Sequence, residues 1–158
     1  VTGAGFIRGT FTGAYATNMG ICNSEGGECA RLRHYLGRDD LKFIYYVKPE
    51  SSGDLGGRDA VESMKAAYFL DKPDALCVAG PVAGKKSDAQ LMARVREAFP
   101  DSVIFANTGV NPNTIGELFT YANAAFVGTY LKKDGVFENA VDPERVKRLM
   151  DQANQLRK

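Results

Sequence analysis

Short apolar runs alternate with amphipathic segments along this chain, and this alternation limits the possible folds more than any other feature. Most of the runs read as nearly continuous apolar stretches, which is typical of strands buried on both faces of a parallel sheet. The pattern predicts five strands, at Phe6–Phe11, Leu41–Val47, Ala75–Ala79, Val103–Ala106 and Ala124–Tyr130. Because a segment of helical period follows each strand, the chain is expected to be an α/β protein of five βα units.

The helical segments have one-sided apolar stripes and clear start signals. Ser87 and Gln90 form a capping-box pattern, and Asn111-Pro112 and Asp142-Pro143 each place a capping residue before a proline. The predicted helices are Ser24–Leu36, Asp59–Leu70, Ser87–Phe99, Asn111–Tyr121 and Asp142–Leu156. A closed parallel barrel needs eight such units, whereas an open doubly wound sheet needs fewer, and the periodicity alone does not choose between them.

Composition fits one soluble globular domain. The chain has 158 residues, of which 44% are hydrophobic and 25% are charged, and its net charge is +1. Since the lysines and arginines are scattered, we expect no nucleic-acid surface. Five basic residues near the C-terminus are interpreted as the solvated face of the last helix: Arg145, Lys147, Arg148, Arg157 and Lys158. No apolar run is long enough for a membrane span, and no signal peptide is expected.

The cysteines and the single histidine indicate no metal or redox site. Cys22, Cys29 and Cys77 match no zinc or redox pattern and are odd in number, which favours a reducing, cytoplasmic location. Cys77 lies in an apolar run and is expected in the core. His34 lies among arginines, so a catalytic triad is not expected. The sequence identifies no cofactor.

Four motifs are distributed in order along the chain. The longest lies in Phe126–Val146 and reads Gly-Thr-x-Leu-Lys-Lys-Asp-Gly, then Glu-Asn-x-Val-Asp-Pro-Glu-Arg-Val. The others are Phe6-Ile-Arg with Phe11–Tyr15, the turn that begins at Thr108-Gly109, and the Gly80-x-x-x-Gly84-Lys85 loop. With these motifs the chain resembles the BtpA/SgcQ family over essentially its whole length. The resemblance implies a (β/α)₈ barrel of the TIM type, in which the five strands would be strands four to eight.

A single partial barrel domain over residues 1–158 therefore follows from the resemblance. We expect a fragment, or a half-barrel that closes by assembly. Unpaired strand edges and an exposed inner face favour association, so a homo-oligomer is expected.

The chain also departs from the family pattern. Relatives tend to carry Asp, His and Lys where this chain has Tyr45–Ser52, and Asn18 replaces the family's Asp after the Thr-Gly-Ala-Tyr motif. The family's Asn beside the first arginine corresponds to Gly9 or Thr10. If those polar groups carry the family's chemistry, this member has changed or lost it.

Ligands of barrels bind at the C-terminal ends of the strands, and the chain has candidate phosphate-binding residues there. Thr108-Gly109 and Gly128-Thr129 end the last two predicted strands, and small residues let a phosphate approach the backbone. A helix N-terminus at Asn111 would add a positive dipole. The alternative is that these residues only form tight turns.

Charged residues near the other strand ends are further candidates. Lys48, Glu50 and Asp54 follow the second strand. The lysine, with carboxylates nearby, could act as general acid, base or imine-former, or the three residues could form an ordinary solvated loop. Arg8 and Lys85 could bind an anionic ligand, or Arg8 could pair with a buried acid in a structural role. The loop before Ser87 is no P-loop, because only three residues separate its glycines and Lys86 intervenes before the serine.

Two functions are consistent with these residues. The first is binding of a small phosphorylated or anionic metabolite at the C-terminal rim of a barrel, with or without catalysis. The second is a non-catalytic assembly or stability factor with a protein partner, because the family takes its name from a role in photosystem I biogenesis. Family membership alone does not decide between them.

Overall fold

The structure is a computed structural model that describes residues 2–80 and 88–157. Its strands are, in chain order, β1 (Phe6–Gly9), β2 (Ala14–Thr17), β3 (Gly20–Asn23), β4 (Lys42–Lys48), β5 (Ser52–Asp54), β6 (Ala75–Ala79), β7 (Ile104–Asn107) and β8 (Ala124–Phe126). Its helices are α1 (Gly26–Tyr35), α2 (Ala60–Asp71), α3 (Ala89–Ala98), α4 (Ile115–Leu118) and α5 (Pro143–Leu156), with 3₁₀ turns at Thr129–Leu131 and Lys133–Gly135.

Five strands form one parallel sheet in the order β1-β4-β6-β7-β8. Each of these strands overlaps one of the five predicted strands, so the α/β class is confirmed. A three-stranded antiparallel sheet, β3-β2-β5, was not predicted. Its strands come from the segments that follow β1 and β4, at the carboxyl ends of the parallel strands. Among the described residues, no helix has both the length and the apolar character needed to cross a bilayer.

The helix starts follow the capping chemistry at most positions. The Asp142 carboxylate accepts hydrogen bonds from Glu144 N and Arg145 N, as the Asp142-Pro143 signal predicts. Ser87 lies outside the described residues, and Asp88 caps α3 by accepting from Leu91 N.

The prediction of a helix from Asn111 was wrong, because α4 begins only at Ile115. The side-chain oxygen of Asn111, Oδ1, accepts a hydrogen bond from Asn113 N. The Thr114 hydroxyl donates a hydrogen bond to Gly109 O. These bonds hold residues 109–114 in a turn instead of a helical start.

Alternate residues of the parallel strands face two different layers. The outward residues, including Leu76 and Ile104, are buried beneath α2, α3 and α4 in the main core. The inward residues Ile44 and Cys77 form a smaller cluster with aromatic neighbours. Tyr45 faces outward and Tyr46 inward, as strand alternation requires.

The parallel sheet is curled into a half-barrel. Phe6 and Phe126 lie on the two edge strands, yet their ring centroids are 5.8 Å apart. In a flat sheet the edge strands would be about 19 Å apart, since neighbouring strands are about 4.8 Å apart. The inner face is therefore concave. A closed eight-stranded barrel, and the numbering of these strands as four to eight, stay predictions of the resemblance.

Candidate functional site

A cavity of about 500 Å³ lies at the carboxyl ends of β7 and β8. It is lined by both predicted phosphate-binding pairs, Thr108-Gly109 and Gly128-Thr129. Arg8 and Glu50, predicted separately from the sequence, line the same cavity. Its volume lies within the range of small-molecule sites in proteins.

A chain of polar side chains forms the floor of this cavity. Arg8 Nη1 donates to Asn107 Oδ1 at 2.8 Å, and Asn107 Nδ2 donates to Glu50 Oε1 at 2.6 Å. Because arginine only donates and an ionised carboxylate only accepts, these two bonds fix the orientation of the Asn107 amide. Asn107 is 6% exposed, and no motif in the sequence indicated it as a site residue.

Aromatic rings hold the Arg8 guanidinium over the inner face of the sheet. Its central carbon lies 4.4 Å from the Phe126 ring centroid and 5.2 Å from that of Tyr46. Both distances permit cation–π attraction. Arg8 thus crosses from one edge of the sheet towards the other.

The buried groups beneath the floor are uncharged at neutral pH. Burial raises the pKa of the Tyr46 hydroxyl to about 12 and that of the Cys77 thiol to about 12. Cys77 is fully buried, which confirms its prediction as a core residue. Because the phenol and the thiol stay protonated at neutral pH, the charged groups of the floor among the described residues are Arg8 and Glu50.

The loop after β7 has an unusual backbone. Thr108 has φ 65° and Gly109 has φ 63°, so two consecutive residues are left-handed. This conformation costs a β-branched residue about 1–3 kcal/mol. The Thr108 hydroxyl accepts from Gly80 N at 2.6 Å and donates to Asn107 O at 2.5 Å, and these bonds hold the loop against β6.

The loop after β8 leaves open space beside its glycine. Gly128 has φ −121°, and a Cβ atom built there would meet no protein atom within 4 Å. No neighbouring side chain occupies this space, but the combination of φ −121° and ψ −84° lies outside the α and β regions and favours glycine. The absent side chain leaves room at the wall of the cavity.

Arg145 is a further charged residue of the cavity, and the sequence analysis missed it. Its Nε donates to Tyr130 O at 2.6 Å, and its guanidinium lies 4.6 Å from the Tyr130 ring centroid. The interpretation as a solvated helix face was wrong for this residue, because its side chain lines the cavity. The Asp142-Pro143 signal could have located it, since that cap places Arg145 in the first turn of α5, next to the rim.

The predicted catalytic residues are divided between cavities. Glu50 lies in the cavity described above, whereas Lys48 and Asp54 line a second cavity of about 440 Å³ with Tyr15 and Arg58. The structure therefore does not bring the three residues into one cavity.

Two positions noted in the sequence analysis lie elsewhere. Asn18, where this chain departs from the family pattern, lines a third cavity together with Lys48. Lys85 and the rest of its loop, residues 81–87, lie outside the described residues.

Comparison with known proteins assigns the family. The model of the BtpA family matches residues 1–155. This chain belongs to the BtpA family. The putative sgc region protein SgcQ of Escherichia coli (strain K12) is 41% identical over 99% of the chain, which covers 59% of that protein.

Relatives with lower sequence identity also match over most of this chain. An uncharacterised protein of Thermococcus kodakarensis is 31% identical over 98% of the chain, which covers 58% of it. The photosystem I biogenesis protein BtpA of Synechocystis is 26% identical over 91% of the chain, which covers 50% of it. The chain thus spans between half and three fifths of the length of these relatives.

Proposed function

We propose that the cavity at the ends of β7 and β8 binds a small phosphorylated or otherwise anionic metabolite. The observation that carries this proposal is the meeting of Thr108-Gly109, Gly128-Thr129, Arg8 and Arg145 in one cavity. In barrel proteins the loops after the last two strands commonly bind phosphate. Among the described residues, the charged groups of the lining are two arginines and one glutamate, which favours an anion.

Arg145 and the Gly128 loop are the elements that we assign to the phosphate itself. Arg145 Nε donates to Tyr130 O, which holds the guanidinium in place, and its terminal N–H groups donate to no residue in the described part of the chain. Guanidinium groups bind phosphate by paired hydrogen bonds. Gly128 allows the anion to approach the backbone because no Cβ occupies that space.

Calorimetric titration with inorganic phosphate tests this proposal. The Gly128→Ala variant should bind phosphate at least about tenfold more weakly, because the added methyl group reduces the space beside the backbone. Its thermal stability should fall modestly, because φ −121° with ψ −84° lies outside the α and β regions that alanine prefers, so a thermal melt must show that the variant is folded. Gly116→Ala is the matched control, because Gly116 also has open space but does not line the cavity. Equal phosphate affinity in the parent and both variants would contradict the assignment.

A second candidate function is that of an assembly or stability factor with a protein partner. It rests on the name of the Synechocystis relative, the photosystem I biogenesis protein BtpA. Phe137, at the rim of the cavity, is 67% exposed and would be available to such a partner. This function requires no phosphate site, so the absence of phosphate binding in the titration would favour it.

We also propose that the protein forms a homo-oligomer. The proposal draws on the two edge strands of the parallel sheet, β1 and β8, which each pair with one strand only among the described residues. Sedimentation equilibrium measures the mass directly, and a monomer across the accessible concentration range would contradict it.

A further inference from the structure

The cavity has two levels that differ in chemistry. Asn107 and Phe126 end β7 and β8 at its floor, and Gly109 and Gly128 each lie two residues further along the chain, at its rim. Because a strand advances about 3.3 Å per residue, the levels are at most about 7 Å apart. A phosphate at the rim and a second group at the floor can therefore belong to one small molecule with a backbone of three or more carbons.

The floor offers an acceptor beside donors. Glu50 Oε1 accepts from Asn107, whereas Glu50 Oε2 accepts no hydrogen bond from any described residue. Arg8 uses one N–H group for Asn107, and guanidinium has five. The floor thus presents a carboxylate oxygen and guanidinium N–H groups on either side of an oriented amide.

Hydroxyl groups match this arrangement better than a second anion does. A hydroxyl both donates and accepts, so neighbouring hydroxyls can donate to Glu50 and accept from Arg8. A phosphate oxygen without a proton only accepts, and the Glu50 carboxylate would repel it. An apolar chain would leave both charged groups without new partners, which weakens binding.

We infer that the ligand of this cavity is a monophosphate ester with hydroxyl groups on its carbon chain, as in a phosphorylated polyol or sugar, and that its hydroxyls bind the Arg8–Asn107–Glu50 chain. This inference rests on the proposed phosphate site and specifies which class of phosphate the site takes. Glu50 acts in it as a specificity-determining residue, through hydrogen bonds to ligand hydroxyls.

A matched pair of esters tests the inference on the unaltered protein. Glycerol 3-phosphate and n-propyl phosphate have the same phosphate and the same number of carbons, and differ in two hydroxyl groups. We expect calorimetry to show that glycerol 3-phosphate binds at least about tenfold more tightly, because hydrogen bonds to charged groups are strong. Equal affinities would overturn the inference without any variant having to fold.

The Glu50→Gln variant then assigns the discrimination to one residue. The preference for glycerol 3-phosphate should fall to about threefold or less, while the affinity for inorganic phosphate stays the same or rises. Glu97→Gln, at an exposed glutamate of α3, should keep the parent preference. If Glu50→Gln weakens both esters equally, the hydroxyl contact is not made by Glu50 and the inference is overturned.

The outcomes separate this inference from the proposed function. If inorganic phosphate, glycerol 3-phosphate and n-propyl phosphate all fail to bind, the phosphate site itself is refuted, and the inference with it. If all three bind with similar affinity, the phosphate site stands and only the class of ligand is refuted.

Discussion

The two ends of the parallel sheet use polar side chains in opposite ways. At the amino ends, the Asp74 carboxylate accepts from Phe43 N and the Asn123 amide oxygen accepts from Ile104 N. At the carboxyl ends, Arg8, Glu50 and Arg145 line a cavity. The first group satisfies the backbone of the fold, and the second faces the space where a ligand would bind.

This difference indicates how substitutions at the two ends should be interpreted. Polar groups bonded to buried backbone contribute mainly to the free energy of unfolding, because their loss leaves donors or acceptors without partners. Polar groups at a cavity retain solvent as a partner when no ligand is present. Substitutions at the amino ends should therefore change stability, and those at the carboxyl ends should change affinity.

The largest effect on stability is expected at Arg96, on α3 near the amino ends. Its guanidinium donates to five oxygens, on Tyr121, Phe99, Pro100, Ser102 and Asn123. Arg96→Met should lower the free energy of unfolding by about 3 kcal/mol, since these bonds involve a charged donor. Chemical denaturation measures the change.

The control for this variant lies on the same helix. Among the described residues Arg94 makes one ion pair, with Asp59 at a solvent-exposed position, so Arg94→Met should lower the free energy of unfolding far less than Arg96→Met. Equal losses at the two arginines would remove the distinction between the ends of the sheet.

The next largest effect is expected at the carboxyl ends, in affinity. Arg145→Met should weaken phosphate binding by about tenfold or more, because one of the two guanidinium groups of the cavity is lost. Stability should fall by only about 1 kcal/mol, through loss of the bond to Tyr130 O. Titration calorimetry and denaturation measure the two quantities separately. Arg148→Met, at an exposed position of α5, should change both the phosphate affinity and the stability less than Arg145→Met does.

A smaller effect on stability is expected at Asp142, which is an exception to the difference between the two ends of the sheet. Asp142 lies near the carboxyl ends, but its carboxylate is bonded to backbone N–H groups, as the side chains at the amino ends are. Asp142→Ala should therefore lower the free energy of unfolding by about 1 kcal/mol. Asp151→Ala should cost about half as much or less, since the one pair that Asp151 makes with a described residue is the exposed pair with Lys147. The reverse order would mean that the cap contributes nothing.

The smallest effect on stability is expected at Tyr46, the buried tyrosine of the inner face, and it concerns alkaline pH. The folded state holds the pKa of Tyr46 at about 12, above its ordinary value of 10.0, by burial. Folding thus favours the neutral phenol, so this contribution is complete below about pH 10 and is lost as the pH rises towards 12. Tyr46→Phe should flatten the decline of stability between about pH 10 and pH 12. Denaturation across this range checks it, and the same change at exposed Tyr35 should leave the curve as it was.

The parallel half of the fold was predictable because its signals are local. The apolar runs were typical of buried strands, and Ala75–Ala79, which became β6 without change, is buried at every position, whereas the edge strands β1 and β8 are only partly buried. The antiparallel sheet was not predictable from such signals. Ala14–Thr17 and Ser52–Asp54 are short and largely polar or small, and they pair only because two loops meet in space.

The candidate site was predictable in part for the same reason. Thr108-Gly109 and Gly128-Thr129 follow strands, so their common location is a consequence of parallel topology. Asn107 and Arg145 were missed because their importance comes from contacts distant in sequence, with Arg8 and across the cavity. The separation of Lys48 and Asp54 from Glu50 likewise depends on β5, because the pairing of β5 with β2 brings this segment into the antiparallel sheet.

The contact between the Phe6 and Phe126 rings has a kinetic consequence. The two residues are about 120 positions apart, and closing a flexible loop of that length costs about 4 kcal/mol in chain entropy. The entropy cost of this contact becomes small only after the intervening strands have paired and curved the sheet, so we expect the contact to form late. Parallel sheets fold slowly for this reason, and strand edges stay accessible to neighbouring chains meanwhile. The ring pair is therefore a marker for the final step of folding.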